Sequence, residues 1–153
     1  MSYTAADGRA QLLDTLGGAT DRLGFALASL GEAYEALDEH AGDRLEVDLF
    51  RPVQLAYGRA KRTYASFAER YDLPAGSFEA SHAPNVRAGH AQDAIERALA
   101  AVAEADGALA TLQDSMLPIE VGDEDVRAGL TEVRALVGGL PDRARDLVRT
   151  LGR

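Results

Sequence analysis

LDTLGGATDRLGFALASLGEAYEAL, residues 13–37, places a leucine at every seventh position of one row, and a second row runs beside it. Rows offset by three and four residues mark the a and d positions of a helix that packs against other helices, as in a coiled coil. Asp7 opens a proline-free run, and Gly42 follows it where a helix can end. The pattern predicts a helix near 7–41 with two core rows: Leu16, Leu23, Leu30 and Leu37, and Leu13, Thr20, Leu27 and Tyr34.

Three further segments repeat apolar residues at the three- and four-residue spacing of an amphipathic helix. The first carries a mostly aromatic row, the second is rich in alanine, and the third begins with acids, which favour a helix N-terminus. The predicted helices lie near 51–72, 85–116 and 123–151.

Proline, glycine and asparagine mark the expected ends of these helices. Pro52 suits a first turn because a proline there loses no intrahelical hydrogen bond. Asn85 is the expected N-cap of the third helix. Residues 138–141, Gly-Gly-Leu-Pro, predict a bend or break inside the fourth helix.

The chain as a whole predicts one all-α domain over residues 1–153, an antiparallel up-down-up-down four-helix bundle with long helices. Its 153 residues and 46% apolar content suit a single core. Residues 73–84 collect Pro, Gly and Ser without a period and predict the longest loop, a linker between two helical hairpins. The only strand-like alternation, residues 45–49, is too short to form a sheet.

Composition excludes several classes of function. A net charge of −9 and a pI of about 4.7 oppose contact with phosphate backbones, so we expect no nucleic acid partner. No segment is long and apolar enough for a membrane span, and no secretory signal is evident, which makes the cytoplasm the default expectation. The absence of cysteine removes thiolate metal sites, iron–sulfur clusters and cysteine nucleophiles.

Residues 50–72 form the only segment of this acidic protein with a net positive charge, and they lie between two acidic segments. Such a segment is expected to pack beside the acidic helices within the bundle, and it also suits an acidic partner.

Three glycines seven residues apart, Gly17, Gly24 and Gly31, border the leucine row of the first helix. Each helical glycine costs about 1 kcal/mol relative to alanine, so three in register indicate a compensating contact. Tight packing within the chain, for example on the alanine-rich third helix, is the preferred interpretation. Self-association through the same stripe is the alternative.

Tyrosines on the second helix form the main candidate for a ligand site. Tyr57, Tyr64 and Tyr71 share one row position, and with Tyr34 and nearby His90 they could line a small-molecule pocket with polar tips. Plain core packing, with the hydroxyls at the rim, is the preferred interpretation of such a row.

Two pairs of acids, Glu32-x-x-Glu35 and Glu69-x-x-Asp72, resemble the magnesium-binding acids of MazG-like nucleotide pyrophosphohydrolases. That resemblance implies a metal-dependent hydrolase. The rows, however, place Tyr34 and Tyr71 inward, so the four acids are expected to face solvent, and a solvated acidic surface is preferred.

The stretch from Tyr34 to Asp38 also resembles the Y-x-x-x-D/E signal of small helical type VII secretion substrates, which implies a secreted helical protein. Those proteins pair the signal with a W-x-G turn, and this chain has no tryptophan.

No nucleophile motif or phosphate-binding loop accompanies the three histidines, so no catalytic residue, metal ligand or cofactor is predicted. The sequence therefore favours a non-enzymatic interaction or scaffold protein that binds a protein partner or forms a homodimer. A small-molecule binding bundle or metal-dependent hydrolase is the first alternative, and a type VII-like secreted protein is the second.

Overall fold

A computed structural model describes residues 4–79, 81–87 and 90–151, and this part of the chain contains helices and no strand. The all-α class with long helices is confirmed. The helices are α1 (Ala5–Glu35), α2 (Glu39–Leu45), a π-helical turn (Glu46–Phe50), α3 (Arg51–Arg70), α4 (Ala91–Asp114), α5 (Leu117–Glu120), α6 (Glu124–Val137) and α7 (Leu140–Leu151).

Helix α1 begins close to the predicted residue but ends six residues before the predicted Ala41. At its start the Thr4 hydroxyl accepts a hydrogen bond from the Asp7 N–H at 3.0 Å. After Glu35 the chain turns, and the Asp38 carboxylate accepts one from the Ala41 N–H at 2.8 Å. Asp38 thus caps a second helix, which is why the predicted single helix is divided.

Helices α2 and α3 form one continuous helix with a π turn between them, at the place where the sequence predicted only a connector. Pro52 has no N–H for the Asp48 carbonyl, and its ring would crowd that carbonyl in a regular helix. The wider turn accommodates the ring, and the Arg51 N–H bonds back to the Glu46 carbonyl. The freed Asp48 carbonyl accepts a hydrogen bond from Arg143 Nη1 of α7 at 3.4 Å.

In the second half of the chain the first helix starts later than predicted, and the helical segments are more numerous. Helix α4 begins at Ala91, with His90 rather than Asn85 at the N-cap position. The Asp123 carboxylate caps α6, as the acidic run indicated, by accepting the Val126 N–H at 2.8 Å. The predicted break at residues 138–141 is confirmed, because α6 ends before the glycine pair and α7 starts after it.

Pairs of contacting residues give the relative directions of α1 and its neighbours. Gly17 lies beside Tyr64 and Gly24 beside Tyr57, so α1 and α3 run antiparallel. Helix α4 also runs antiparallel to α1: its C-terminal residues lie at the start of α1, and its middle is joined to α1 by an ion pair between Arg22 and Glu104, whose nitrogen and oxygen are 3.1 Å apart.

Helix α3 packs on α6, again with opposite directions. Arg70 Nε lies 2.7 Å from Asp123 Oδ2, and Arg59 Nε lies 2.5 Å from Glu132 Oε2. The two helices approach so closely at Gly129 that a Cβ there would collide with the Thr63 side chain.

Helices α3 and α4 therefore point in the same direction, which differs from the predicted strict alternation. The reason lies in residues 71–90, which join the end of α3 to the opposite end of the bundle. Twenty extended residues reach up to about 65 Å, more than the roughly 46 Å length of α1. We call the described part of this connection, residues 73–79 and 81–87, the strap. It lies along α1 and α3, with Gly76 beside Tyr64 and Ser81 beside Gly24.

The core between these helices is aliphatic and alanine-rich, with Phe67 as its largest fully buried side chain. Leu13, Leu16, Leu23 and Leu30 of the two predicted rows are buried and Leu27 is partly buried. Helix α4 buries Ala91, Ala94, Ala98, Ala101 and Ala105. The apolar strap residues Leu73, Phe78 and Val86 pack against this core from outside. The predicted linker between helical hairpins is therefore also packed against the core.

Candidate functional site: an acidic aromatic groove

Two of the three periodic glycines of α1 receive tyrosine rings from α3. A Cβ on Gly17 would lie 3.1 Å from Tyr64 Cε2, and one on Gly24 would lie 3.1 Å from Tyr57 Cε1. The compensating contact expected for these glycines is therefore with α3 and not with the alanine-rich α4. Both glycines therefore pack against side chains of the same chain.

The outer side of Tyr64 is covered by the strap. Its hydroxyl accepts a hydrogen bond from the Gly76 N–H at 3.0 Å, and its ring meets Phe78 edge-on, with centroids 4.8 Å apart. Only 9% of Tyr64 is exposed. The strap occupies the space that a ligand of this tyrosine would need.

Tyr71, at the end of the same row, is held by polar contacts. Its hydroxyl donates to Asp123 Oδ2 at 3.0 Å, and the Arg9 guanidinium lies 4.2 Å from its ring centroid. Desolvation, and then the hydrogen bond to the Asp123 carboxylate, raise the pKa of the Tyr71 hydroxyl. The pKa of Asp123 itself is lowered: desolvation acts to raise it, but hydrogen bonds from Arg70, the Val126 N–H and Tyr71 outweigh that effect.

Tyr57 is half-buried, and the Lys61 ammonium lies 4.3 Å from its ring centroid. Burial, and then the nearby Asp21 carboxylate, raise the pKa of its hydroxyl. Tyr57, Tyr64 and Tyr71 thus form one row that joins α1, α3 and, through Tyr71, the start of α6.

The third glycine, Gly31, faces open space: among the described residues, apart from its chain neighbours and its own helix backbone, no atom lies within 4 Å of its Cβ position. It lines a groove of about 340 Å³ between the end of α1 and the π turn, and the other lining residues are Tyr34, Glu35, Glu46 and Phe50. We call this cavity the groove.

The groove exposes Tyr34, which the sequence placed in a core row. Tyr34 is 42% exposed, so the inward prediction is wrong. The reason is that α1 ends one residue later, and the chain then turns into α2 instead of continuing along a neighbouring helix. One edge of the ring rests on α2, where a Cβ on Gly42 would be 3.3 Å from Tyr34 Cε2.

Acidic residues line the groove and are frequent in the chain next to it. Residues 32–48 contain seven acids and one arginine, and Glu35 and Glu46 line the cavity itself. The one arginine, Arg44, donates a hydrogen bond from its Nη1 to the Thr150 hydroxyl oxygen on α7 at 3.0 Å. This end of the bundle therefore combines exposed aromatic surface with a strongly negative field.

His90 lies apart from the tyrosines. It borders another cavity, of about 270 Å³ and lined also by Asn85, Val86, Arg87, Asp93 and Arg97. Its Nδ1 is 3.7 Å from Asp93 Oδ2. The five residues named from the sequence as one possible pocket thus occupy three places: the row on α3, the groove, and the start of α4.

The two acid pairs that resemble the hydrolase motif lie at opposite ends of the bundle. Glu32 and Glu35 stand at the end of α1, and Glu69 and Asp72 at the end of α3, which runs the other way. In residues 4–79, 81–87 and 90–151 no group of three or more His, Asp or Glu residues is arranged to hold a metal ion. The geometry gives the four acids no common cation.

Comparison with protein-family models, curated proteins and solved structures finds no match for this chain. Within the described part of the chain, none of the helices has the length and apolar character needed to span a membrane.

Glu46 and Phe50 are the groove residues that sequence reasoning missed. The available signal was Pro52 six and two residues after them, because a proline inside an otherwise helical stretch favours a widened turn. A π turn is also frequent at functional sites, and here it forms one wall of the groove.

Proposed function

We propose that this protein is a non-enzymatic interaction protein whose groove binds a cationic amphipathic segment of another protein. The observation that carries the proposal is the coincidence of aromatic and acidic side chains around one exposed cavity. Tyr34 and Phe50 offer apolar surface, and Glu35 and Glu46 stand beside them.

The aromatic pair supplies the kind of contact that contributes most to binding. Aromatic residues are enriched at interface cores because they bury a large area at a low cost in conformational entropy. Tyr34 and Phe50 lie against helix ends on one side and solvent on the other. An apolar side chain of a partner that enters the groove would bury both rings further.

The acids select the sign of the partner's charge. Seven acids within residues 32–48 attract lysine and arginine and repel acidic segments, which raises the association rate for a basic partner more than the affinity itself. A helix with leucines on one face and lysines on the other satisfies both features of the groove.

The proposal is tested with a model amphipathic peptide built from leucine and lysine, with an otherwise identical leucine–glutamate peptide as the control. We expect fluorescence anisotropy to show saturable binding of the lysine peptide, weakened by salt, and no binding of the glutamate peptide. Phe50→Ala should weaken binding at least about tenfold, the effect of roughly 1.4 kcal/mol. Leu55→Ala, an exposed apolar residue outside the groove, should leave it unchanged.

Glu46→Gln tests the contribution of charge separately. It keeps the size of the side chain, so we expect a weaker dependence of binding on salt with little change at high salt. Equal binding of both peptides, or equal loss in Phe50→Ala and Leu55→Ala, would refute a specific role of the groove.

A further inference from the structure

The outer face of the continuous helix from α2 through α3 carries exposed aliphatic side chains. Val47 and Leu55 are each 55% exposed, and Arg51 between them is exposed as well. None of the three lines the groove, which lies on the neighbouring side with Glu46 and Phe50.

The π turn brings Val47 and Leu55 onto one side of the helix. In a regular α-helix, residues eight apart are rotated by about 80° relative to each other. A π turn takes in one additional residue and so rotates the following helix back by about 100°. The two side chains are then roughly 20° apart, in keeping with their equal exposure. The turn therefore produces an apolar stripe from residues that would otherwise diverge.

The net charge of this continuous helix changes from negative to positive at the π turn. Residues 39–48 hold four acids and one arginine, whereas residues 51–62 hold four basic residues and no acid. Exposed charges mark both halves, Glu39 and Asp43 before the π turn and Arg62 after it.

We propose that this face binds a second copy of the chain, with the two helices antiparallel about a two-fold axis near Arg51. Val47 of one copy then packs on Leu55 of the other, and the reverse contact forms by symmetry. Glu39 and Arg62 lie 12 and 11 residues from Arg51, so Glu39 of each copy, at the flank of the stripe, comes level with Arg62 of the other along the helix axis. The proposal goes beyond the function proposed for the groove, because it concerns a different face and a different partner.

A second copy is the occupant that fits both charged halves of this face, and the one like-charged contact is that of Arg51 with its own copy near the axis. A two-fold axis turns one helix end for end, so the acidic half of each copy meets the basic half of the other and both apolar residues find an apolar partner. A partner of a single charge sign would be attracted by one half and repelled by the other.

The experiment is light scattering with size-exclusion chromatography over a series of protein concentrations. We expect a mass of twice 16.2 kDa that falls toward 16.2 kDa on dilution. Val47→Asp should raise the dimer dissociation constant at least about tenfold. Ile119→Asp, a change at another exposed aliphatic side chain on α5, should not alter the dissociation constant.

Exchanging the two charges distinguishes a specific dimer from nonspecific association. Glu39→Arg and Arg62→Glu should each weaken the dimer, and the two changes in one chain should restore it because opposite charges face each other again. Circular dichroism checks that each variant remains helical, and the milder Val47→Ala replaces Val47→Asp if that variant does not.

A wild-type protein that stays monomeric at all concentrations, or a double variant no tighter than the single ones, would overturn the proposal. Failure of the groove proposal is separately visible, because Phe50→Ala affects peptide binding and not the mass. The lysine peptide and the second copy use different faces, so either result can hold without the other.

Discussion

Gly17 and Gly31 occupy equivalent positions of one seven-residue repeat on α1, yet the structure treats them differently. A tyrosine ring from α3 packs against Gly17, whereas the space beside Gly31 is open and belongs to the groove. The same contrast separates Tyr64, which is covered by the strap, from Tyr34, which is 42% exposed. A sequence repeat therefore specifies a helix face, but what covers that face is decided by the partner helix.

The difference has a simple geometric origin. Helix α3 runs antiparallel to α1 and carries tyrosines at seven-residue spacing, so Tyr64 meets Gly17 and Tyr57 meets Gly24. A further tyrosine seven residues before Tyr57 would have met Gly31. That position is Phe50, in the π turn, where the helix changes its rotation. The widened turn interrupts the pairing and leaves the groove.

The largest expected effect comes from truncating the two tyrosines that mark this contrast. Tyr64→Ala should lower the free energy of unfolding by about 3–5 kcal/mol, the usual cost of removing a buried aromatic side chain. Tyr34→Ala, on α1 and at a side chain that is 42% exposed, should cost no more than roughly 0.5 kcal/mol. Urea denaturation of both variants measures the difference. Equal losses would show that Tyr34 is as much a part of the core as Tyr64.

A second comparison enlarges the glycines instead of removing the rings. Gly24→Leu should destabilise by about 1–3 kcal/mol because the added side chain must displace Tyr57 or the strap at Ser81. Gly31→Leu has room and should leave the stability unchanged or improve it, while its side chain fills the groove. Peptide binding should therefore fall in Gly31→Leu at full stability. Equal melting temperatures of the two variants would contradict the difference in packing.

The sequence predicted the helical class and the starts of α1 and α6 because those depend on local features. Leucine spacing, the acid at Asp123 and the glycine pair before Pro141 each act within a few residues, and the structure bears out all three. The signal that divides the predicted first helix, the Asp38 cap, is equally local but was missed because the leucine row continues up to Leu37, directly before it.

The groove and the strap could not be predicted in the same way because both depend on long-range packing. A glycine-, proline- and serine-rich stretch gives no sign that Phe78 will reach Tyr64 or that Ser81 will lie beside Gly24. Likewise, the tyrosine row was identified correctly on α3, but its relation to the glycines of α1 required the relative register of two helices.

A third test concerns the polar end of the tyrosine row, where Asp123 accepts hydrogen bonds from Arg70 and Tyr71. Its lowered pKa means that the folded state favours the charged carboxylate. The resulting stability is present above the unfolded pKa of about 3.9 and is lost as pH falls through the lower folded value. Asparagine caps a helix as well as aspartate does, so the loss in Asp123→Asn is that of the ion pair with Arg70. It should cost up to about 1 kcal/mol at neutral pH and progressively less in acid.

Unfolding curves of wild type and Asp123→Asn, measured from neutral pH down to about pH 3, test this expectation, since about pH 3 lies below the unfolded pKa of aspartate. Tyr71→Phe is the matched control, because it removes one hydrogen bond and keeps the carboxylate, and it should show part of the effect. A stability difference between wild type and Asp123→Asn that does not depend on pH would show that the carboxylate's charge is not what holds this end of the row.

The smallest expected effect is also the most direct test of the open space beside Gly31. Alanine is favoured over glycine within a helix by about 0.5–1 kcal/mol, and a methyl group at Gly31 meets no atom within 4 Å. Gly31→Ala should therefore stabilise the protein by up to that amount. At Gly17 the same methyl group would lie 3.1 Å from Tyr64 Cε2, so the gain in helix propensity is offset by a contact that forces the ring to shift. Thermal unfolding should place Gly31→Ala above wild type and Gly17→Ala at or below it. Higher thermal stability in both variants would mean that the ring of Tyr64 moves aside at no cost. The packing at Gly17 and Gly31 would then not differ in its effect on stability.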